Sequence, residues 1–197
     1  SMTSSQKFTI FLVLGAMGYV LSAIGKFWYA DTFYASGQKN YQFFQKTQDT
    51  QYLSTSFQSF QSATKLNPTE PAIISEYAVS MAYIAVILAP QDATSAGLLA
   101  NTATSLSDKA IALSPHHPNY YKSAARTNIL LAHYGRAAEI FTNATKVSPT
   151  DPRIPYNLGL IYESLGKTNL ARQQYESALQ LKPDFQDAKT ALQKLKP

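Results

Sequence analysis

"IPYNLGLIYESLGKTNLARQQYESALQLKPDF", residues 154–185, is the stretch whose reading decides the fold. It ends just past Pro183, and Pro115, Pro149 and Pro183 stand 34 residues apart. Each closes a similar run: "SDKAIALSP", "TNATKVSP" and "YESALQLKP". Five residues before these prolines lie Ala110, Ala144 and Ala178, and twelve before lie Ala103, Ala137 and Ala171. Eight before lie Ser107, Phe141 and Tyr175. Steps of four and three put these positions on one stripe of a helix. Small residues let neighbouring helices approach, the aromatic fills the space between them, and proline ends the helix. A self-similarity of 34 residues predicts stacked helix–turn–helix units.

A fourth anchor is Pro68, with Ala63, Phe60 and Ser56 at the same offsets. Pro68 and Pro115 are 47 residues apart, one period plus 13. Longer helices around the turn "APQDATSAG" account for the excess, at 71–88 and 93–113. The expected order is a long first helix running through Lys46, a partner at 51–66, two full units, and a third unit from Arg153 to Leu181. A polar-faced capping helix follows from Asp187 to Lys196, as terminal repeats require for solubility. The fold class is thus all-α: an N-terminal hydrophobic helix, then an α-solenoid of three to four helix pairs and a cap.

The quoted stretch resembles a tetratricopeptide repeat nearly position for position. Leu158-Gly159 and Tyr162 match its first helix and Gly166 its turn. Ala171, Tyr175, Ala178 and Pro183 match its second helix and stop. The preceding unit keeps Tyr121, Ala137, Phe141, Ala144 and Pro149, but has Ala124-Ala125 for Leu-Gly and Asn128 for the tyrosine. The resemblance spans 31–197 and is specific only after Asn119. A narrower likeness joins "WYADTFYASG" to "SPTDPRIPYNLGLIYESLG". In that order they resemble the membrane-proximal tail of bacterial O-antigen ligase/polymerase-type proteins. That likeness implies an envelope setting and no transferase activity, because the family's catalytic loops are upstream of such a tail.

Residues 8–25, "FTIFLVLGAMGYVLSAIG", carry no charge, and Lys7 and Lys26 bracket them. Eighteen helical residues extend about 27 Å, close to the roughly 30 Å hydrocarbon thickness of a bilayer. Phe27, Trp28 and Tyr29 follow, where an interfacial aromatic belt belongs. The reading is a membrane-spanning helix at 1–30 followed by a repeat domain at 31–197. A cleaved signal peptide cut near Ala23-Ile24-Gly25 and a helix buried in a filament core are the other readings of the segment. Gly15, Gly18, Ser22 and Gly25 share one helical face, as in small-residue helix packing, which makes self-association through this stripe an expectation.

Charged residues are only 15% of the chain, against about 25% in ordinary domains. The net charge of +5 is spread along the chain, with no basic run interleaved with aromatics, so no nucleic-acid partner is expected. The absence of cysteine excludes disulfides and thiolate chemistry. His116 and His117 are adjacent and His133 stands alone, without the spacing of a metal set. Gly166 in "SLGKT" lacks the upstream glycine of a phosphate loop. The three P-x-x-P pairs (68/71, 115/118, 149/152) fall at inter-repeat turns, where the second proline opens the next helix. Asn143-Ala144-Thr145 is a glycosylation sequon inside a predicted helix, and the Ser/Thr-rich surface leaves glycan possible. No catalytic, cofactor or metal site is expected.

What remains is a partner groove. By the resemblance, its inward positions are Asn119, Lys122, Arg126, Ile129 and Leu130 in one unit and Arg153, Tyr156, Leu160 and Glu163 in the next. Lys122, Arg126 and Arg153 form a basic patch beside Tyr156, suited to an acidic or C-terminal segment. Some related domains clamp terminal carboxylates with a Lys, Asn and Arg set. Asn157 and Lys122 match members of that set, whereas Arg126, Asp187 and Ala191 do not. The expected function is a non-enzymatic, membrane-anchored scaffold of the bacterial cell envelope with its repeats extracytoplasmic. The alternatives are a subunit of an extracellular pilus-like filament and a detached regulatory tail of an O-antigen ligase-type enzyme.

Overall fold

The computed structural model of the chain describes residues 2–195 and contains nine helices among them. The packing divides the chain at Thr69/Glu70 into two compact units. Lys196, the expected last residue of the cap, lies outside the described residues.

The first unit holds α1 (Ser4–Thr47) and α2 (Thr50–Leu66). A capping box opens α1: the Gln6 amide donates to Thr3 Oγ1 at 3.3 Å and the Thr3 amide donates to Gln6 Oε1 at 2.9 Å. The helix then runs unbroken past residue 30, and Gln48 in the left-handed region, φ 58°, ends it. Its buried residues all come late: Ala30, Gly37, Tyr41 and Phe44, one stripe. Leu53, Ser56, Phe60 and Ala63 of α2 are completely buried. A Cβ on Gly37 would stand 2.6 Å from the Phe60 ring, so glycine lets the two helices close. Ser56 Oγ donates to the Gly37 carbonyl at 2.9 Å and satisfies its own burial.

The second unit holds α3 (Pro71–Leu88), α4 (Ala93–Leu113), α5 (Pro118–Leu130), α6 (Tyr134–Val147), α7 (Arg153–Ser164), α8 (Thr168–Leu181) and α9 (Gln186–Lys194). Three hairpins, α3/α4, α5/α6 and α7/α8, follow one another, and α9 packs on α8. Pro71 and Pro118 occupy the first turns of α3 and α5, where no amide is needed. Asp92 caps α4 by accepting from the Ser95 amide at 3.0 Å.

Every position fixed by the proline spacing is buried. Ala103, Ala137, Ala171, Ala144, Ala178 and Tyr175 are 0% exposed, and Ala110, Ser107 and Phe141 no more than 3%. The spacing therefore reports packing, and each large aromatic so buried contributes about 2–3 kcal/mol of transfer free energy. The insertion of 13 residues lengthens α3 and α4 without adding an element. Between α5 and α6 the chain reverses through Ala132, φ 58°, and between α7 and α8 through Gly166, φ 68°. In both turns the next amide returns to the carbonyl five residues back: His133 to Asn128 and Lys167 to Tyr162, each at 2.8 Å.

Candidate functional site

The first helices α5 and α7 carry the residues expected to meet a partner. The structure brings three of the expected cations to this face and gives each an internal neighbour. Lys122 Nζ of α5 donates to Asp151 Oδ2 at 2.6 Å, and the accepting carboxylate is only 11% exposed. Arg153, at the start of α7, donates from Nε to Oδ1 and from Nη2 to Oδ2 of the same Asp151, both at 2.9 Å. Its backbone amide also donates to Oδ1 at 3.0 Å. Hydrogen bonds from Arg153, then Lys122, hold the Asp151 carboxyl well below the usual carboxylate range against its burial. Two cations around one carboxylate leave one net positive charge, and Arg153, 66% exposed, is the cation that faces solvent.

Arg126 reaches back to α3. Its Nη2 donates to the Tyr83 hydroxyl at 3.3 Å, and its guanidinium carbon lies 5.8 Å from the ring centroid. Glu76 shares this corner. Burial pushes its carboxyl above the ordinary value, and Arg126 opposes that shift. The expected patch is thus a set of links between successive units, partly neutralised from within. Asn119 is exposed at the start of α5, while Ile129 packs on the core of the α5/α6 hairpin. Leu160 is 39% exposed.

Tyr156 sits among aromatics, 5.8 Å from Tyr175 and 5.1 Å from Phe185 by ring centroids. Glu163 accepts a hydrogen bond from the hydroxyl of fully buried Tyr175 at 2.5 Å. Burial, then the Glu163 carboxylate, push the Tyr175 phenol well above its ordinary value, so it remains a donor. At the α7–α9 end the face therefore offers an aromatic shelf backed by a fixed carboxylate.

Gly15, Gly18, Ser22 and Gly25 all lie on α1. A Cβ on any of the three glycines would meet nothing within 4 Å. No residue of the 18-residue apolar window of α1 is buried, and its mean hydropathy is 2.0. His116 and His117 lie in the turn before α5, where His117 packs on Tyr120 at 4.7 Å, and His133 precedes α6. Among the described residues, no three His, Cys, Asp or Glu side chains converge on a point that could hold a metal.

Sequence reading missed Asp151, Glu76 and Tyr83. Asp151 had a visible signal, an acid two residues before Arg153 at a helix start. Glu76 and Tyr83 had none, because the stretched spacing removes the offset that would align α3 with α5.

Residues 153–185 match the tetratricopeptide-repeat family model. A stretch of 69 residues is 39% identical to the mouse (Mus musculus) BBSome complex member BBS4. It makes up 35% of this chain but 13% of that relative, so the likeness is to a small part of a longer protein. Among solved structures, MamA aligns over 85% of this chain and 80% of its own, with a TM-score of 0.60 at 17% identity. Pseudomonas aeruginosa PilF aligns over 87% and 69%, with a TM-score of 0.61 at 16% identity. YrrB, a tetratricopeptide-repeat protein with an unusual peptide-binding site, aligns over 83% and 74%, with a TM-score of 0.61 at 13% identity. At these identities the structures show a shared fold. The chain carries a tetratricopeptide repeat at 153–185 and arranges its helices as a tetratricopeptide-type α-solenoid.

Proposed function

We propose that this protein is a non-enzymatic scaffold, held in a bacterial envelope membrane by α1, that gathers protein partners on its first-helix face. The observation that carries the anchor is the bare apolar segment of α1. Phe8, Phe11, Leu14 and Leu21 are each more than 60% exposed among the described residues. Residues 8–25 contain nine Phe, Ile, Leu and Val residues. On an insertion scale these contribute about −3 to −5 kcal/mol, with no charge to oppose them. Phe27, Trp28 and Tyr29, all more than half exposed, mark the interfacial end. Membrane fractionation tests the anchor: the full chain stays in the pellet after an alkaline wash, and release into the supernatant refutes anchoring.

The partner reading rests on the repeat fold, on the net positive charge around Asp151 and on the aromatic shelf at Tyr156. Titration with acidic C-terminal peptides tests it, and no binding retires the groove. We place the repeats outside the cytoplasm, as the low surface charge and the envelope-type sequence likeness favour. Lys26, Lys39 and Lys46 after the helix, against Lys7 before it, argue the reverse. Protease protection on intact cells decides between them. A second reading, an extracellular filament with α1 in its core, draws on the uncovered stripe of Gly15, Gly18, Ser22 and Gly25. Negative-stain images distinguish filaments from dispersed particles. The detached-tail reading draws on sequence resemblance alone, and the genomic sequence upstream of Met2 tests it.

A further inference from the structure

A cleft opens between the second helices α4 and α6, with the Pro115-His116 turn and Tyr121 of α5 completing its lining. Its volume is about 620 Å³, in the range of small-ligand clefts. Ile111, Ile140 and Val147 supply apolar lining. At one end Asp108 of α4 and Arg136 of α6 form an ion pair, which closes and neutralises that end. Farther along α6 stand Glu139 and Lys146. Lys146 Nζ donates to the Asn143 amide oxygen at 3.2 Å, and among the described residues neither Glu139 nor Lys146 has an ion-pair partner. Seven residues of helix separate them by about 10.5 Å, too far to pair with each other.

This charge set belongs to one step of the array. Adding the 34-residue period to Arg136, Glu139 and Lys146 leads to Leu170, Gln173 and Gln180 on α8. Subtracting it leads to Thr102, Ser105 and Ala112 on α4. These charges are therefore particular to this step of the array and are not part of the repeated packing stripe.

We infer that the α4/α6 cleft is a second docking site, for an extended peptide segment with a basic side chain, an aliphatic one two residues on, and an acidic one two residues beyond that. In an extended chain these three side chains share one face. Four residues span about 13 Å, so flexible side chains bridge the difference to the Glu139–Lys146 spacing. The basic group meets Glu139, the aliphatic group meets Ile111 and Ile140, and the acid meets Lys146. The site uses none of the residues expected in the first-helix groove, since Tyr121 of α5 is not among them, and it does not depend on the membrane anchor.

The test uses the isotope-labelled full chain in detergent micelles and backbone amide shifts. The probes are the amidated pentapeptides Lys-Ala-Leu-Ala-Glu, Lys-Ala-Leu-Ala-Lys, Glu-Ala-Leu-Ala-Glu and Gln-Ala-Leu-Ala-Gln. The mixed-charge peptide is expected to shift amides of α6 and of the end of α4, and to bind about threefold or more tightly than the other three, as two solvent-exposed charge pairs allow. Glu139→Lys should transfer the preference to the doubly acidic peptide, and Lys146→Glu to the doubly basic one. Glu139 and Lys146 are exposed, so both variants are expected to fold. Arg126→Ala on the first-helix face should leave all four affinities unchanged. No shift with any peptide, shifts confined to α3, α5 and α7, or a preference that ignores the two substitutions would each overturn the proposal.

Discussion

A glycine in the middle of a helix ordinarily destabilises it by about 1 kcal/mol relative to alanine, so Gly159→Ala in α7 ought to be an improvement. The packing predicts the opposite. A Cβ at Gly159 would stand 2.7 Å from Cδ1 and 3.0 Å from Cζ of Tyr175. Carbon contacts are optimal near 3.5–4.0 Å, so the overlap approaches 1 Å. The ring cannot swing aside, because Tyr175 is 0% exposed and its hydroxyl is tied to Glu163 at 2.5 Å. Overpacking of this kind costs about 1–3 kcal/mol. Straining a charge-assisted hydrogen bond adds about 1 kcal/mol or more. Net of the propensity gain, the variant should lose about 1–3 kcal/mol.

Gly135→Ala, in the first turn of α6 with nothing within 4 Å, serves as the control and should gain up to about 1 kcal/mol. In thermal denaturation of the full chain in detergent, followed by far-UV circular dichroism, Gly159→Ala should lower Tm by about 3–10 °C while Gly135→Ala raises it slightly. In a Tyr175→Leu background the ring is gone, and the same Gly159→Ala change should become neutral or stabilising. If Gly159→Ala raises Tm as Gly135→Ala does, or if its effect is the same with and without Tyr175, the packing argument fails.

Asp151→Asn should destabilise by about 1–3 kcal/mol at neutral pH, since it leaves Lys122 and Arg153 around a neutral amide. The Asp151 carboxyl is held low in the folded state, so its contribution is complete above the unfolded value near 4 and is lost as pH falls from there through the folded value. Melting wild type and variant side by side should show a gap that narrows with acidification below about pH 4, and a gap independent of pH refutes the assignment. Ala132→Gly removes a left-handed alanine at the end of α5 and should raise Tm by an amount equivalent to about 0.5–1 kcal/mol, with no gain if the turn is unstrained. Thr127 is completely buried, and its Oγ1 has no hydrogen-bond partner among the described residues. Thr127→Val, of nearly equal shape, should therefore stabilise by up to about 1 kcal/mol, and a loss in urea denaturation would mean that the hydroxyl is satisfied in solution.

The parts of the fold legible in the sequence are those set by contacts at fixed offsets. Ala171, Tyr175 and Ala178 read as buried because each repeat presents the same stripe to the same neighbours, and their burial is complete. The bounds of α3 and α4 were readable from Pro71, the turn at Pro90-Gln91-Asp92 and Pro115. The site was less legible, because its electrostatics depend on pairing between units. Nothing local in Lys122 announces Asp151, which is 29 residues away in sequence, and nothing in Arg126 announces Tyr83, which is 43 away. Asn128 illustrates the same limit. Where α7 has Tyr162, this asparagine is fully buried, and its Nδ2 donates to the Ala124 carbonyl at 2.8 Å while its Oδ1 has no hydrogen-bond partner among the described residues, an arrangement invisible to a pattern of apolar positions. Ala132 hid a left-handed turn that Gly166 advertises in the next unit.

Those pairings change how the first-helix face can recognise anything. A free lysine or arginine attracts an acidic partner with its full charge, whereas the Lys122 charge is already offset by Asp151 at 2.6 Å. Its side chain is also only 24% exposed, so little of its ammonium is open to a second carboxylate. Selectivity at Lys122 by charge alone is therefore weak. Arg153 is less limited, because it is 66% exposed and its side-chain bonds to Asp151 use only two of its five guanidinium N–H groups. It begins the helix that also carries Tyr156, whose ring packs on Phe185. An acidic segment is thus best placed when its carboxylate reaches Arg153 while an apolar neighbour covers Tyr156. The links from Lys122 to Asp151 and from Arg126 to Tyr83 keep a different role: they tie α5 to the elements on either side and hold the spacing on which such a two-point contact depends.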